Sequence, residues 1–169
     1  MGDKISVQDA GIIILTNFIP TLFERLGLTS EGEFTNLQSR QRAVLYLQYL
    51  SRGMQESEDN LLILYKILCG LDVRLPITEK VMITMSERNL IEKLIDGAIA
   101  YWPSIADSTF SRFRANWLMR DGQLKETATY WELTVEKKPY DILLSRSPYA
   151  FSAVKYPWMH KVLEVYWPY

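Results

Sequence analysis

The chain has 169 residues, 48% of them hydrophobic, which excludes a disordered segment and suits one domain that can bury a core without disulfides or metals. Lys and Arg total 19 against 20 Asp and Glu, so the net charge of −1 gives no broad attraction to nucleic acid or anionic lipid. Cys69 is the one cysteine, so no intrachain disulfide can form, which fits assembly in the cytoplasm.

The N-terminal region shows no secretory signal pattern. Its apolar run from Gly11 to Leu15 is interrupted by Thr16 and Asn17, and Glu24 and Arg25 follow soon after. That run is too short to span a bilayer, so no membrane insertion is expected.

A first helix is predicted over 9–26, capped by Asp9, with Leu15, Phe18, Ile19, Leu22, Phe23 and Leu26 at helical spacing and Gly27 as the stop. Pro20 lacks an amide donor and should either kink this helix or separate a strand-like piece from a helix after it. A second helix fits 37–52, with Val44, Leu45 and Leu47 inward and Gly53 at its end. The polar stretch 54–60 reads as a loop. A third helix fits 58–68 and closes at Gly70. Leu61, Leu62, Leu64, Tyr65 and Leu68 nearly encircle it, so it should be central.

Leu71 to Ile77 contains Pro76 and reads as an extended connector. Ser86 is the expected N-cap of a fourth helix over 87–101, with Leu90, Ile91, Leu94, Ile95, Ala98, Ile99 and Trp102 as its stripe and Pro103 at its end. A fifth helix, capped by Asp107 or Ser108, should run to about Met119 with Phe110, Phe113 and Trp117 on one side.

The period then changes. Asp121-Gly122 signals a turn, and Trp131, Leu133 and Val135 alternate with Glu132, Thr134 and Glu136 as in a half-buried strand. Further strands are expected at Val162 to Trp167 and near 151–155, with one helical turn over Pro139 to Leu144. The predicted fold is therefore α+β and predominantly α-helical, with about five helices followed by a small C-terminal antiparallel sheet. It is predicted as a single domain over 1–169, helical over about 8–119 and β-containing and aromatic-rich over about 120–169.

Reactive side chains are sparse. His160, the lone histidine, lies in a Pro-Trp-Met-His-Lys turn and reads as a surface or turn residue rather than a catalytic one. One His and one Cys cannot supply a zinc site. Cys69, at the end of an apolar helix, should pack as a small hydrophobe. No phosphate-cradling glycine pattern is present. Glu56, Glu58 and Asp59 sit in a polar loop and read as solvated surface. Arg112 and Arg114 beside Phe110, Phe113 and Trp117 are too few for a nucleic-acid patch and read as exposed positions of an amphipathic helix. No cofactor is expected, and the chain reads as non-enzymatic.

The aromatic tail is the least ordinary feature. Tyr149, Phe151, Tyr156, Trp158, Tyr166, Trp167 and Tyr169 crowd into the last 21 residues. Such rings can seal a helical core with a sheet, or form a protein interface, where Trp and Tyr supply large contact area at low entropic cost.

Several stretches together resemble the conserved domain of contractile injection system tape measure proteins, parts of syringe-like particles related to phage tails. The opening Asp9 to Leu15, then Phe18 to Leu28, is similar to the start of that domain. Gln41-Arg42-Ala43-Val44 leads to Tyr49-Leu50, and Leu64 to Leu71 resembles the family's KLLCGL helix end. Ala100-Tyr101-Trp102-Pro103 resembles its HWP helix end, with Tyr101 where histidine is common. Phe113-Arg114, then Trp117 to Arg120 through Gly122, resembles its arginine-glycine turn. Val135-Glu136, Tyr140 to Leu144, Tyr156 to Met159 and Val165-Tyr166-Trp167 complete the series, which covers about residues 5 to 167.

The resemblance implies a structural part of such a particle, in a family whose members set inner-tube length, with no catalytic, cofactor or metal site to transfer. It implies assembly in the cytoplasm within a particle that is released, and protein partners at the spike or hub, inner tube and baseplate. Symmetry matching implies a three- or six-fold homo-oligomer. The chain departs from a ruler in length. Fully helical, it would reach only roughly 250 Å, and Gly27, Gly53, Gly70, Pro76, Pro103, Gly122 and Pro139 fold it up. Docking is therefore the expected role, with Trp158 and Met159 as first contact candidates and Tyr156 and Trp167 beside them. The other expected role is an adaptor that binds effector cargo.

Overall fold

The computed structural model describes residues 3–55 and 58–168. The polar loop expected at 54–60 thus falls partly outside the described residues. Strand β1, Lys4–Val7, enters the structure first. A 3-10 segment, Ala10–Leu15, follows with all six residues buried. Helix α1, Ile19–Arg25, begins anew with Pro20 in its first turn, where no amide is needed. The expected first helix is thus two pieces, broken before the proline.

A small hairpin, β2 (Thr29–Ser30) and β3 (Glu33–Phe34), leads to α2, Leu37–Arg52. Asn36 caps α2 by accepting from Ser39 N at 2.7 Å, and Gly53 closes it, so this helix lies where its sequence pattern puts it. A 3-10 turn, Asp59–Leu61, precedes α3, Ile63–Leu68. Helix α4, Met85–Ala100, starts two residues earlier than predicted. Thr84, not Ser86, is its cap: the Thr84 hydroxyl accepts from Glu87 N at 3.1 Å and the Glu87 carboxylate accepts from Thr84 N at 3.0 Å. Helix α5, Phe110–Phe113, is capped by Thr109 and widens into a π turn over Arg114–Leu118.

Strands β4 (Gly122–Glu126), β5 (Tyr130–Val135), β6 (Ala153–Val154) and β7 (Val162–Tyr166) complete the chain, with a 3-10 segment, Pro139–Arg146, between β5 and β6. The sheet order is β1-β4-β5-β7-β6, and β5 pairs with β7 in parallel. The expectation of a predominantly helical chain ending in a small antiparallel sheet is therefore overturned. Helix accounts for 45% of the residues, and the five-stranded mixed sheet takes its first strand from the opposite end of the chain. β1 lies ahead of the stretch predicted as helical, about 8–119, and its Ile5 lies opposite Leu124.

Parallel pairing has a simple cause. β6 lies beside β7 on its far side, and the chain passes through Pro139–Arg146 and β6 before β7 enters next to β5. One sheet face, with Leu124, Leu133, Val135, Leu163 and Val165, is buried. The other presents Ser6, Gln123, Thr134 and Tyr166 to solvent. The buried face joins a hydrophobic core that runs from Val7 to Trp167 and includes residues of all five helices.

Candidate protein interface

The four predicted contact residues lie inside the chain. Tyr156, Trp158, Met159 and Trp167 retain 8%, 7%, 4% and 7% exposure, so the contact area these side chains offer is used within the fold. Trp158 donates its indole N–H to Leu68 O at 2.8 Å, and its ring lies 5.0 Å from those of Phe34 and Tyr156. Tyr156 donates its hydroxyl to Thr16 O at 2.5 Å, and burial pushes that phenol far up. Met159 Sδ accepts from Tyr156 N at 3.3 Å. Trp167 belongs to a different cluster.

That second cluster is a buried ion pair. Arg120 and Asp141 are 1% and 0% exposed and meet through two parallel bonds, of 2.9 and 2.5 Å. The guanidinium also donates to Asn116 O at 2.8 Å and Glu136 O at 3.1 Å. The rings of Trp117, Tyr140 and Trp167 surround it at 5.3, 5.1 and 5.2 Å. Asp141 further accepts from Lys138 N at 2.9 Å and the Trp167 indole at 2.8 Å. Burial alone would raise the Asp141 carboxyl. Hydrogen bonds from Arg120, Lys138 and Trp167, with the Arg120 charge, outweigh it and hold the group below the ordinary carboxylate range. A buried pair is stable only when its remaining donors and acceptors are satisfied in this way.

The residues that carry the family resemblance thus prove to be contacts that hold distant segments together. Trp102 donates to Leu143 O at 3.1 Å. Gly70 adopts φ +73°, and a Cβ there would lie 2.1 Å from Trp158 O. A Cβ on Gly11 would lie 1.6 Å from Trp117 O, so only glycine lets the first 3-10 segment approach the π turn.

Between α3 and α4 runs a segment without regular secondary structure, residues 71–84. It is tied down by side chains rather than by a sheet. Asp59 accepts from Ile77 N at 3.0 Å and pairs with the buried Lys66 ammonium, which also donates to Val73 O at 3.3 Å. Burial opposes ionisation of Asp59, but Lys66 and the Ile77 N–H prevail and lower its pKa. Gln41 Oε1 accepts from Thr78 N at 2.9 Å and Glu79 N at 3.1 Å, and Gln55 donates to Val81 O at 3.0 Å. On this strap Met82 is 89% exposed and the following Met85 69%. Tyr101 and Ile142 are also exposed apolar side chains, each next in sequence to one of the bonded pair Trp102 and Leu143.

His160 lines an open cleft of about 460 Å³ with Asp72, Arg74, Glu126 and Lys161. Those charges are engaged with each other: Arg74 donates to Asp72 at 3.0 Å, holding that carboxyl at about 2, and Lys161 donates to Glu126 at 2.8 Å. Among the described residues no serine or cysteine lines this cleft. Cys69 is buried and its thiol is pushed far up. Among the described residues no group of three or more His, Cys, Asp or Glu could hold a metal ion, and no helix is long and apolar enough to cross a membrane.

The geometry defines a mixed α/β domain whose distinctive residues join separate segments instead of converging on a cleft. A family model described as contractile injection system tape measure protein matches residues 1–167, nearly the whole chain, and the chain belongs to that family. Membership places it among the parts of a contractile injection particle, with protein partners. No curated protein and no solved structure matches the chain.

Proposed function

We propose that the chain is a non-enzymatic docking domain of the injection particle, fixing one end of the tape at the spike or hub, inner tube or baseplate. The carrying observation is that the described residues of the matched stretch fold around one core, from Val7 to Trp167. Its longest described helices, α2 and α4, have 16 residues each, or roughly 24 Å. A segment this compact acts through its surface, not its length. Assembly is in the cytoplasm, within a particle that is afterwards released, and placement on the particle axis brings three or six copies together.

Electron microscopy of particles from cells lacking the chain tests this. Absent or wrongly sized inner tubes are the expected result. Tubes of normal length that are empty would instead favour an adaptor that binds effector cargo.

A further inference from the structure

The strap carries a feature that its tethers do not explain. From Ile77 to Thr84 burial alternates strictly: Ile77, Glu79, Val81 and Ile83 are half-buried, and Thr78, Lys80, Met82 and Thr84 are exposed. A period of two is that of an extended strand. β-branched residues supply five of these eight positions, Ile77, Thr78, Val81, Ile83 and Thr84. Yet among the described residues the stretch pairs with no strand. Among the described residues, no hydrogen bond reaches the main-chain groups of Lys80, Met82 or Ile83.

Thr78 N and Glu79 N both donate to Gln41 Oε1, so the extended run begins at Glu79, and from there successive residues turn their N–H and C=O to opposite edges. Gln55 takes the Val81 carbonyl, so that edge faces the body of the protein. Lys80 and Met82 therefore turn theirs to the other edge. We propose that this edge, centred on Lys80 and Met82, takes an extended strand from another protein of the particle, with an acidic side chain facing Lys80 and an apolar one facing Met82. The inference rests on the docking role above and names where that docking occurs.

Main-chain pairing would supply the affinity and alternate side chains the specificity. Met82 is a large, adaptable apolar side chain left 89% exposed, and Met85 extends the same surface at the start of α4. Charge selects the occupant. Glu79 is committed to Arg42 at 3.2 Å, which leaves Lys80 as the exposed charge of the strand. Antiparallel pairing with a second copy about the middle of this edge, at Val81, would set Lys80 opposite Met82 and leave the ammonium without a countercharge. An acidic partner supplies one.

The test uses the full chain with purified spike, inner-tube and baseplate proteins, comparing wild type, Lys80→Glu, Met82→Pro and Ile142→Ser. The proposal predicts at least a tenfold loss of binding for Lys80→Glu and Met82→Pro, none for Ile142→Ser, and unchanged melting of free Lys80→Glu. Hydrogen exchange on the wild-type complex guards against a folding defect in Met82→Pro: the Lys80 and Met82 amides should gain at least tenfold protection. Wild-type binding without that protection overturns the strand inference and leaves the docking role standing. Absence of wild-type binding to every component overturns both. A self-associated chain that dissociates on Met82→Pro would put a second copy on this edge and also overturn it.

Discussion

Two ion pairs in this molecule use similar chemistry in different surroundings. Arg120 and Asp141 are both sealed in the interior, bonded twice to each other, and enclosed by three aromatic rings. Lys66 is equally buried, but its partner Asp59 remains 44% exposed and serves also as a tether for the Ile77 amide. The first pair joins the end of the helical region to the chain after β5 and, through Trp167, to the chain terminus. The second fastens a strap to the surface of α3. Sealing produces an all-or-none element of the fold, and half-sealing produces one that can open locally.

The largest effect should come from breaking the sealed pair. Asp141→Ala leaves a buried guanidinium without its counterion and should lower unfolding free energy by about 3–5 kcal/mol in a denaturant titration. A loss under about 1 kcal/mol would put the two pairs in one class and erase the distinction. Next in size is Gly70→Ala, which combines a positive φ with the approach to Trp158 O and should destabilise by more than about 1 kcal/mol in the same assay.

Acid should weaken both pairs, since Asp59 and Asp141 each hold a folded pKa below the ordinary carboxylate value. The folded pKa of Asp141 lies below its unfolded value, so its contribution is complete above about pH 4 and is lost as pH falls through the folded value. Asp141→Asn should therefore flatten the acid limb of a stability-against-pH curve, measured by urea titration between about pH 2 and 6. An unchanged acid slope would contradict the assignment.

Gln41→Ala should have a smaller and local effect. It removes the acceptor for Thr78 N and Glu79 N, so hydrogen exchange at those amides should accelerate while global stability falls by about 1 kcal/mol. Exchange that speeds equally through β4 and β5 would show that the strap and the sheet open together. The smallest effect is expected for His160→Ala, within about 0.5 kcal/mol by thermal melting, because no hydrogen bond holds the imidazole among the described residues.

The contrast also explains what could be read in the sequence. Helix α2 was legible because Gly53 and the apolar Val44, Leu45 and Leu47 all act within one element. β5 was legible from the alternation of Trp131, Leu133 and Val135. β1 was not, since four residues with only Ile5 and Val7 apolar carry little periodicity, and the partner that makes them a strand lies more than a hundred residues away. The parallel placement of β7 likewise depends on where β6 packs, which no local pattern encodes.

For the candidate site, sequence singled out the aromatic residues but not their setting in the fold. Trp158 and Trp167 stood out, but which rings face inward depends on Leu68 O and Asp141, both distant in sequence. The strap was read as a plain connector over 71–77. Its continuation to Ile83 was missed, because Glu79 on the half-buried side and Met82 on the exposed side break any alternation of residue type, and only the β-branched content hinted at an extended chain.

Docking is tested most directly by light scattering on a size-exclusion column, with the purified chain mixed in turn with purified spike, inner-tube and baseplate proteins. A co-eluting complex of defined mass with one of them is the predicted result. Independent elution from all of them, at concentrations well above those in an assembling cell, would contradict it.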